Sequence, residues 1–183
     1  MGIRPGHTVR GVGKQPWARY SKKRPKQSFV KAMPHLSLLV YRMGDLHKQF
    51  EVQYDLCTHT DIQLRDNALE AARQAANKYL EKMIMGQYFF HVLVFPHNVI
   101  RENKMIAGAG ADRLQKGMRA SFGRATDRAA RMRAGQAIFT FKSSAANRPI
   151  IVEAVRRARA KLSGTYSLRE KVLMASSPAA TSG

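Results

Sequence analysis

The residues with the clearest chemical purpose lie between Asn103 and Arg128, in the stretch NKMIAGAGADRLQKGMRASFGRATDR, which holds four glycines and six lysines or arginines. Glycine lets a backbone approach a surface closely, and arginine forms paired hydrogen bonds with phosphate oxygens. Apolar residues do not recur here at a regular interval, so this stretch does not contribute to a core. These residue types favour binding of a large polyanion by the cations of the segment and its flanks, namely Arg101, Lys104, Arg113, Lys116, Arg119, Arg124, Arg128, Arg131 and Arg133.

A flexible, solvated loop is the alternative for this segment. A long stretch without structure of its own is usually either functional or disordered. The small side chains of Ala107, Ala109 and Ala111 would make its tip narrow enough to enter a confined space. The charge and the glycine spacing together favour the functional interpretation.

Motifs that would indicate an enzyme or a metal site are incomplete. GAGADR places Arg113 where the dinucleotide fingerprint needs its third glycine, and no strong helix follows. Cys57 and His59 supply half of a zinc site, but the chain has one cysteine, so a buried reduced thiol is the better interpretation. His91 is better interpreted as a structural histidine than as a catalytic base, whereas His97 is compatible with either role. We therefore predict no catalytic residue, no metal site and no cofactor.

Net charge is the most unusual property of the chain. Its 183 residues include 32 Lys or Arg and 12 Asp or Glu, which gives a formal charge of +20. The basic residues are concentrated in residues 1–44 and 101–183, while the centre is nearly neutral. Such a field attracts polyanions, and we expect nucleic acid rather than a membrane, because the longest apolar runs are too short to span a bilayer. The single cysteine and the lack of a visible signal peptide favour a cytoplasmic protein.

Residues 1–35 are predicted to form a basic arm, because their glycines and prolines interrupt any helix or central strand. Trp17 and Tyr20 lie among the cations. Their rings could stack on RNA bases or, equally, pin the arm to the protein's own core. For the cations we favour RNA contact. The predicted RNA-binding residues of the arm are Arg4, Arg10, Lys14, Trp17, Arg19, Tyr20, Lys22, Lys23, Arg24 and Lys26.

Alternating polarity and β-branched or aromatic content predict several extended segments. In chain order they are Leu36–Arg42, Gln49–Cys57, Tyr88–Phe95, a short piece after Pro96, two strands within Ala130–Lys142 that bend at Gly135, and an edge strand at Tyr166–Met174. Gly44 and Asp45 are expected in the turn between the first two strands.

Two helices are predicted from capping residues and apolar spacing. The first extends from Asp66 or Asn67 to Gly86, and the second from the N-cap Asn147 to Gly164. The residues expected to face the core are Leu69, Ala72, Ala76, Leu80 and Met83 in the first helix, and Ile151, Val155, Ala158 and Leu162 in the second.

Four to seven strands and two helices that do not alternate strictly indicate an α+β fold. We expect a mixed or antiparallel sheet with both helices packed on one face. The predicted organisation is a basic arm at 1–35, a single α+β domain at 36–172 that includes the 101–128 contact loop, and a disordered tail at 173–183.

The stretch ENKMIAGAGADRLQKGMRASFG, from Glu102 to Gly123, closely resembles the signature NKM…AGADRLQ.GMR.AFG of a ribosomal protein family. This is the universal L sixteen family of the large subunit, in the form called L ten-e in archaea and eukaryotes. NALEAARQAANKYL, HNVIRENKM and QPWARYSKK support the resemblance, which covers nearly the whole chain. The end ASSPAATSG lacks the acidic extension of eukaryotic members, which favours the archaeal branch. GRATDRAARMRAGQ is richer in arginine than the usual family form.

The resemblance implies an α/β hammerhead-type fold and a place in the ribosome, in contact with large-subunit rRNA, aminoacyl- and peptidyl-tRNA and neighbouring ribosomal proteins. The arm would thread between rRNA helices, and Arg119, Arg124, Arg128 and Arg131 would join its cations in binding rRNA. The loop would point towards the peptidyl-transferase centre. Its tRNA-proximal residues would be Arg101, Lys104, Met105, Ala109, Gly110, Ala111, Asp112 and Arg113. The alternative is a free RNA-binding or RNA-chaperone protein.

Overall fold

The computed structural model describes residues 23–103 and 123–173, which contain eight strands and two α-helices. The strands are β1 (Arg42–Gly44), β2 (Val52–Thr58), β3 (Ile62–Arg65), β4 (Tyr88–Val92), β5 (Asn98–Glu102), β6 (Arg124–Met132), β7 (Ala137–Ser143) and β8 (Tyr166–Val172). The helices are α1 (Asp66–Ile84) and α2 (Arg148–Arg159), and short 3-10 turns occur at Pro25–Gln27 and Ala145–Asn147.

The strands form two antiparallel sheets. One has five strands in the order β1-β4-β7-β2-β8, and the other has three in the order β3-β6-β5. The prediction of an α+β fold with antiparallel strands is therefore confirmed. The expected range of four to seven strands was too low, because the short strand β3, which leads directly into α1, was missed.

Both helices pack on one face of the five-stranded sheet. From α1, Asn77 Oδ1 accepts a hydrogen bond from the Tyr88 hydroxyl at 2.9 Å. At the start of α2, Asn147 Nδ2 donates to Ser143 Oγ at 3.0 Å. The buried side chains of both helices join one core with the aromatic residues of the sheet, namely Tyr54, Phe90, Phe139 and Phe141. The predicted placement of the helices is thus confirmed.

The helix predictions hold except at three details. The inward stripe of α1 is buried at Leu69, Ala72, Ala76 and Leu80, but Met83 is 49% exposed and Ile84 is buried instead. Met83 and Ile84, three and four positions after Leu80, both fit the helical repeat of 3.6 residues, and the structure buries Ile84. Asp66 is the first helical residue rather than the N-cap, and its carboxylate accepts the backbone N–H of Ser37 at 2.8 Å. The second helix ends at Arg159 rather than at Gly164. Its four predicted inward residues are nevertheless all buried, with Leu162 in the bend that follows α2.

The predicted strand at Leu36–Arg42 is wrong, because only Arg42 belongs to β1. Leu38 is fully buried in an irregular segment, so its apolar character reflects core packing rather than sheet pairing. Gly44 lies at the end of β1 with φ 82° instead of in the expected turn. A Cβ at this position would lie 2.2 Å from the Tyr88 carbonyl oxygen, so glycine permits the close pairing of β1 with β4.

The remaining predicted strands are confirmed. Gln49–Cys57 covers all of β2 except Thr58, Tyr88–Phe95 contains β4, and the piece after Pro96 is β5. Gly135 lies in the bend between β6 and β7 with φ 80°, and β8 pairs only with β2 at one sheet edge.

Alkaline pH should destabilise this core through two buried phenols. Burial raises the pKa of Tyr88 to about 12 and that of Tyr166 to about 12. A phenol with a raised pKa in the folded state stabilises the fold fully below pH ~10, the ordinary tyrosine value, and that contribution is lost as the pH rises towards 12. In a spectrophotometric titration, we expect a late phase of tyrosinate formation coupled to loss of circular dichroism. Tyr88→Phe should reduce that phase by one phenol, and ionisation of every tyrosine near pH ~10 in an intact fold would contradict this expectation.

Candidate RNA-binding surface

The structure describes seven of the residues predicted to contact RNA. They are Lys23, Arg24, Lys26, Arg101, Arg124, Arg128 and Arg131. The others lie outside the described residues: Arg4, Arg10, Lys14, Trp17, Arg19, Tyr20, Lys22, Lys104, Met105, Ala109, Gly110, Ala111, Asp112, Arg113 and Arg119. The structure therefore bears on the base of the predicted loop and on the end of the predicted arm.

The base of the loop is an antiparallel pair of strands. Glu102 of β5 pairs with Arg124 of β6, so the two strand ends that flank residues 104–122 are adjacent. Gly123 has φ 74°, and a Cβ added there would lie 2.5 Å from the carbonyl carbon of Glu102. Only glycine allows the backbone at position 123 to approach the backbone of Glu102 this closely. Arg101 and residues 124–128, which were predicted to be part of the loop, therefore lie in strands.

Two arginines of the loop base hold the end of the arm. Arg101 donates from Nη2 to the carbonyl oxygen of Phe29 at 2.7 Å and from Nη1 to that of Gly123 at 3.3 Å. Arg128 Nε donates to the carbonyl oxygen of Pro34 at 2.7 Å. Val30, between these two contacts, is 2% exposed. The two basic segments that are far apart in sequence are thus brought together at one place on the body.

A buried polar cluster stiffens the strands beneath the loop. Arg131 Nη2 donates to Asn98 Oδ1 at 2.7 Å, and Asn98 Nδ2 donates to Gln63 Oε1 at 2.6 Å. Burial lowers the pKa of Arg131 below that of a solvated guanidinium. Nearby, Arg65 Nη2 lies 2.7 Å from Asp127 Oδ2 in a salt bridge whose arginine side chain is 11% exposed. These contacts link all three strands of the smaller sheet.

The structure therefore separates the predicted RNA-binding cations into two groups. Arg101, Arg128 and Arg131 hold the arm or the strands through contacts within the chain. Lys23, Arg24, Lys26 and Arg124 are exposed. Their predicted contacts with rRNA or tRNA stay predictions.

Sequence reasoning missed Gln63, Asn98 and Asp127 as residues that position the loop base. Gln63 and Asn98, which bond to each other, are 35 residues apart in the sequence. Asp127 and its partner Arg65 are 62 residues apart. Neither separation is a helix or hairpin spacing, so no local pattern signals these pairs. Only a buried polar residue in a strand could have suggested them, because such a residue needs a partner.

Of the incomplete catalytic and metal motifs, GAGADR lies outside the described residues, whereas Cys57 and His59 lie within them. Cys57 is buried, and burial raises the pKa of its thiol, which disfavours the reactive thiolate. Within residues 23–103 and 123–173, no cluster of three His, Cys, Asp or Glu side chains could hold a metal ion. No helix in these ranges is long and apolar enough to cross a membrane.

The geometry and the sequence agree with one known family. Residues 18–169 match the family described as Ribosomal protein L16p/L10e. The chain belongs to this family. The resemblance inferred from the Glu102–Gly123 stretch is therefore confirmed.

Relatives of this L16p/L10e chain carry the name "Large ribosomal subunit protein uL16". The protein of Thermofilum pendens is 43% identical over 163 residues, which cover 88% of this chain and 93% of the relative. One from Methanococcus maripaludis is 39% identical over 163 residues, which cover 88% and 90%. That of Archaeoglobus fulgidus is 37% identical over 147 residues, which cover 80% and 84%. These relatives are archaeal, in agreement with the predicted branch.

Proposed function

We propose that this chain is a structural constituent of the large ribosomal subunit, where it binds large-subunit rRNA near the tRNA sites and the peptidyl-transferase centre and helps to position tRNA. Family membership supports the ribosomal part of the proposal. The observation that carries the finer part is the joint anchoring of arm and loop by Arg101 and Arg128, at 2.7 Å from the carbonyl oxygens of Phe29 and Pro34. Two cationic segments whose described ends are in contact are suited to clasp folded RNA from two sides.

Electrostatics supplies the affinity in this proposal. If six to ten of the 32 basic residues meet phosphates, binding should weaken by about three to five powers of ten between ~50 and ~200 mM salt. That contribution carries no sequence preference, so specificity comes from the shape of the RNA and from unpaired nucleotides. The arm residues Lys23 and Lys26 are exposed, as such contacts require.

The tRNA-facing part of the proposal concerns the loop between β5 and β6. Lys104, Met105 and Ala109–Arg113 would lie closest to the acceptor end of tRNA. In this role the protein positions RNA, and the RNA catalyses the formation of peptide bonds. No covalent step is assigned to the polypeptide, which is consistent with a ribosomal protein family.

Residence in the subunit is the first test. We expect an affinity-tagged full chain to co-sediment with large subunits through a sucrose gradient, and to remain there after a high-salt wash. A free RNA-binding or chaperone protein would wash off and stay near the top of the gradient. That second result would overturn the ribosomal assignment.

Deletion of residues 107–112 tests the role of the loop. The removed residues lie beyond β5 and β6, so the circular dichroism and unfolding midpoint of the chain should remain close to those of the intact protein. Translation or maturation of the subunit should be impaired, as measured by the polysome fraction and by tRNA footprints on purified subunits. Normal translation by subunits that contain the shortened chain would contradict the tRNA-facing assignment.

A further inference from the structure

The five-stranded sheet has a second face that the helices do not cover. Strand register places its side chains in two rows that cross all five strands. One row is Gly44, Phe89, Lys142, Gln53 and Lys171, and the other is Arg42, His91, Thr140, Asp55 and Arg169. We call these ten positions the outer sheet face. At roughly 4.8 Å between strands, it is about 19 Å wide from β1 to β8.

Charge on the outer sheet face is strongly positive. Four of its residues are cations, and the three at the sheet edges, Arg42, Arg169 and Lys171, are exposed. Its one carboxylate, Asp55, accepts hydrogen bonds from Thr140 Oγ1 at 2.6 Å and from Gln53 Nε2 at 2.9 Å. The acid is therefore held by neutral donors of its own sheet, and the cations remain to attract an anion.

Two aromatic rings lie between these cations. Phe89 and His91 are half-buried neighbours on β4, with ring centroids 6.0 Å apart. Lys142 Nζ lies 5.7 Å from the centroid of the Phe89 ring. Burial, followed by the charges of Arg42 and Lys142, lowers the pKa of His91, so its ring is neutral at physiological pH. A sheet with flat neutral rings in its middle and cations around them is a surface on which RNA bases stack while phosphates meet the cations.

We propose that the outer sheet face is a second RNA-binding surface, which takes unpaired nucleotides with a base stacked on Phe89 or His91 and phosphates at Lys142, Arg169 and Lys171. The proposal rests on the proposed function, since the RNA bound there would belong to the large subunit. It differs from the arm and the loop in its scaffold, because its rings and cations are held in fixed positions by the strands of one sheet. A double helix buries its bases and would gain only the charge.

The edge cations are tested with matched double variants of the purified full chain. Arg169→Gln with Lys171→Gln removes two exposed charges from the outer sheet face. Arg159→Gln with Lys161→Gln removes two exposed charges, equally spaced in sequence, at the end of α2. With a short oligouridylate in ~0.1 M salt, two lost phosphate contacts should weaken binding by about 25-fold for the first pair. The second pair should change it much less. Equal losses for the two pairs would overturn the proposal.

Stacking is tested by Phe89→Ala, which leaves the charge unchanged. Loss of one stacked base should weaken oligouridylate binding by about 5-fold to 150-fold, with little effect on a blunt RNA duplex of the same length. Phe89→Leu provides a second variant that keeps apolar volume, with folding checked by circular dichroism. Unchanged single-strand affinity in a folded variant, or an equal loss for the duplex, would overturn the proposal.

Large subunits that contain the chain supply an independent measurement. Ultraviolet irradiation and mass spectrometry should find nucleotide adducts on Phe89 or His91. Chemical crosslinks from Lys142 and Lys171 to another protein, without such adducts, would show a protein occupant and reject the RNA assignment while leaving the proposed function intact. Failure of the chain to enter subunits would reject the proposed function, whereas the oligouridylate measurements would still decide the chemistry of the face.

Discussion

Replacing Phe90 with alanine should lower the free energy of unfolding by about 3–5 kcal/mol, the usual cost of removing a buried phenylalanine side chain. Phe90 is 0% exposed. Its ring stacks on Phe141 with centroids 4.4 Å apart and an interplanar angle of 12°, and it meets Phe139 edge-on at 5.4 Å. The alanine variant leaves a cavity in the middle of the five-stranded sheet and removes both ring contacts.

Urea unfolding of the purified chain, followed by circular dichroism, measures this loss. Phe89→Ala is the matched control, because the residue is next in the chain but lies half-buried on the outer sheet face. We expect the control to cost much less free energy of unfolding than Phe90→Ala. If Phe90→Ala leaves too little stability to measure, Phe90→Leu keeps part of the volume and should give a smaller, measurable loss. Similar costs for the variants at positions 89 and 90 would contradict the assignment of the two sheet faces.

Replacing Gly123 with alanine should be the most damaging single change at the loop base. A residue with φ 74° lies in the left-handed region, which costs about 1–2 kcal/mol for an L-amino acid. The new Cβ would also lie 2.5 Å from Glu102 C and 2.7 Å from Asn103 N, so backbone atoms must move. Overpacking of this kind adds about 1–3 kcal/mol.

Gly86→Ala is a suitable control, since Gly86 also has a positive φ, at 70°, but a Cβ there meets nothing within 4 Å. The control should therefore show only the cost of the left-handed backbone. Hydrogen exchange should show faster exchange of the β5 and β6 amides in Gly123→Ala and no change there in Gly86→Ala. Equal stability losses and unchanged exchange in both variants would mean that the close approach of Glu102 and Gly123 does not hold the loop base.

The contrast between Met83 and Ile84 shows how far local pattern reaches. Spacing alone identified the helix and four of its buried residues, because a helical repeat is encoded within a few turns of chain. The last residue of the stripe was misplaced by one position, where either choice fits the repeat. The segment Leu36–Tyr41 failed for a different reason, since apolar composition reports burial and does not say whether a strand partner is available.

The sequence by itself determined the class of fold, both helices, most strands, the strongly basic termini and membership of the family. It could do so because periodicity, capping residues, charge and a contiguous signature are all properties of neighbouring residues. Only the tertiary structure decided that Arg101 and Arg128 join the arm to the loop, that a buried cluster at Arg131, Asn98 and Gln63 supports them, and that cations from three strands share one face with Phe89 and His91. These arrangements depend on strand register and on contacts between residues tens of positions apart, and no local pattern encodes either.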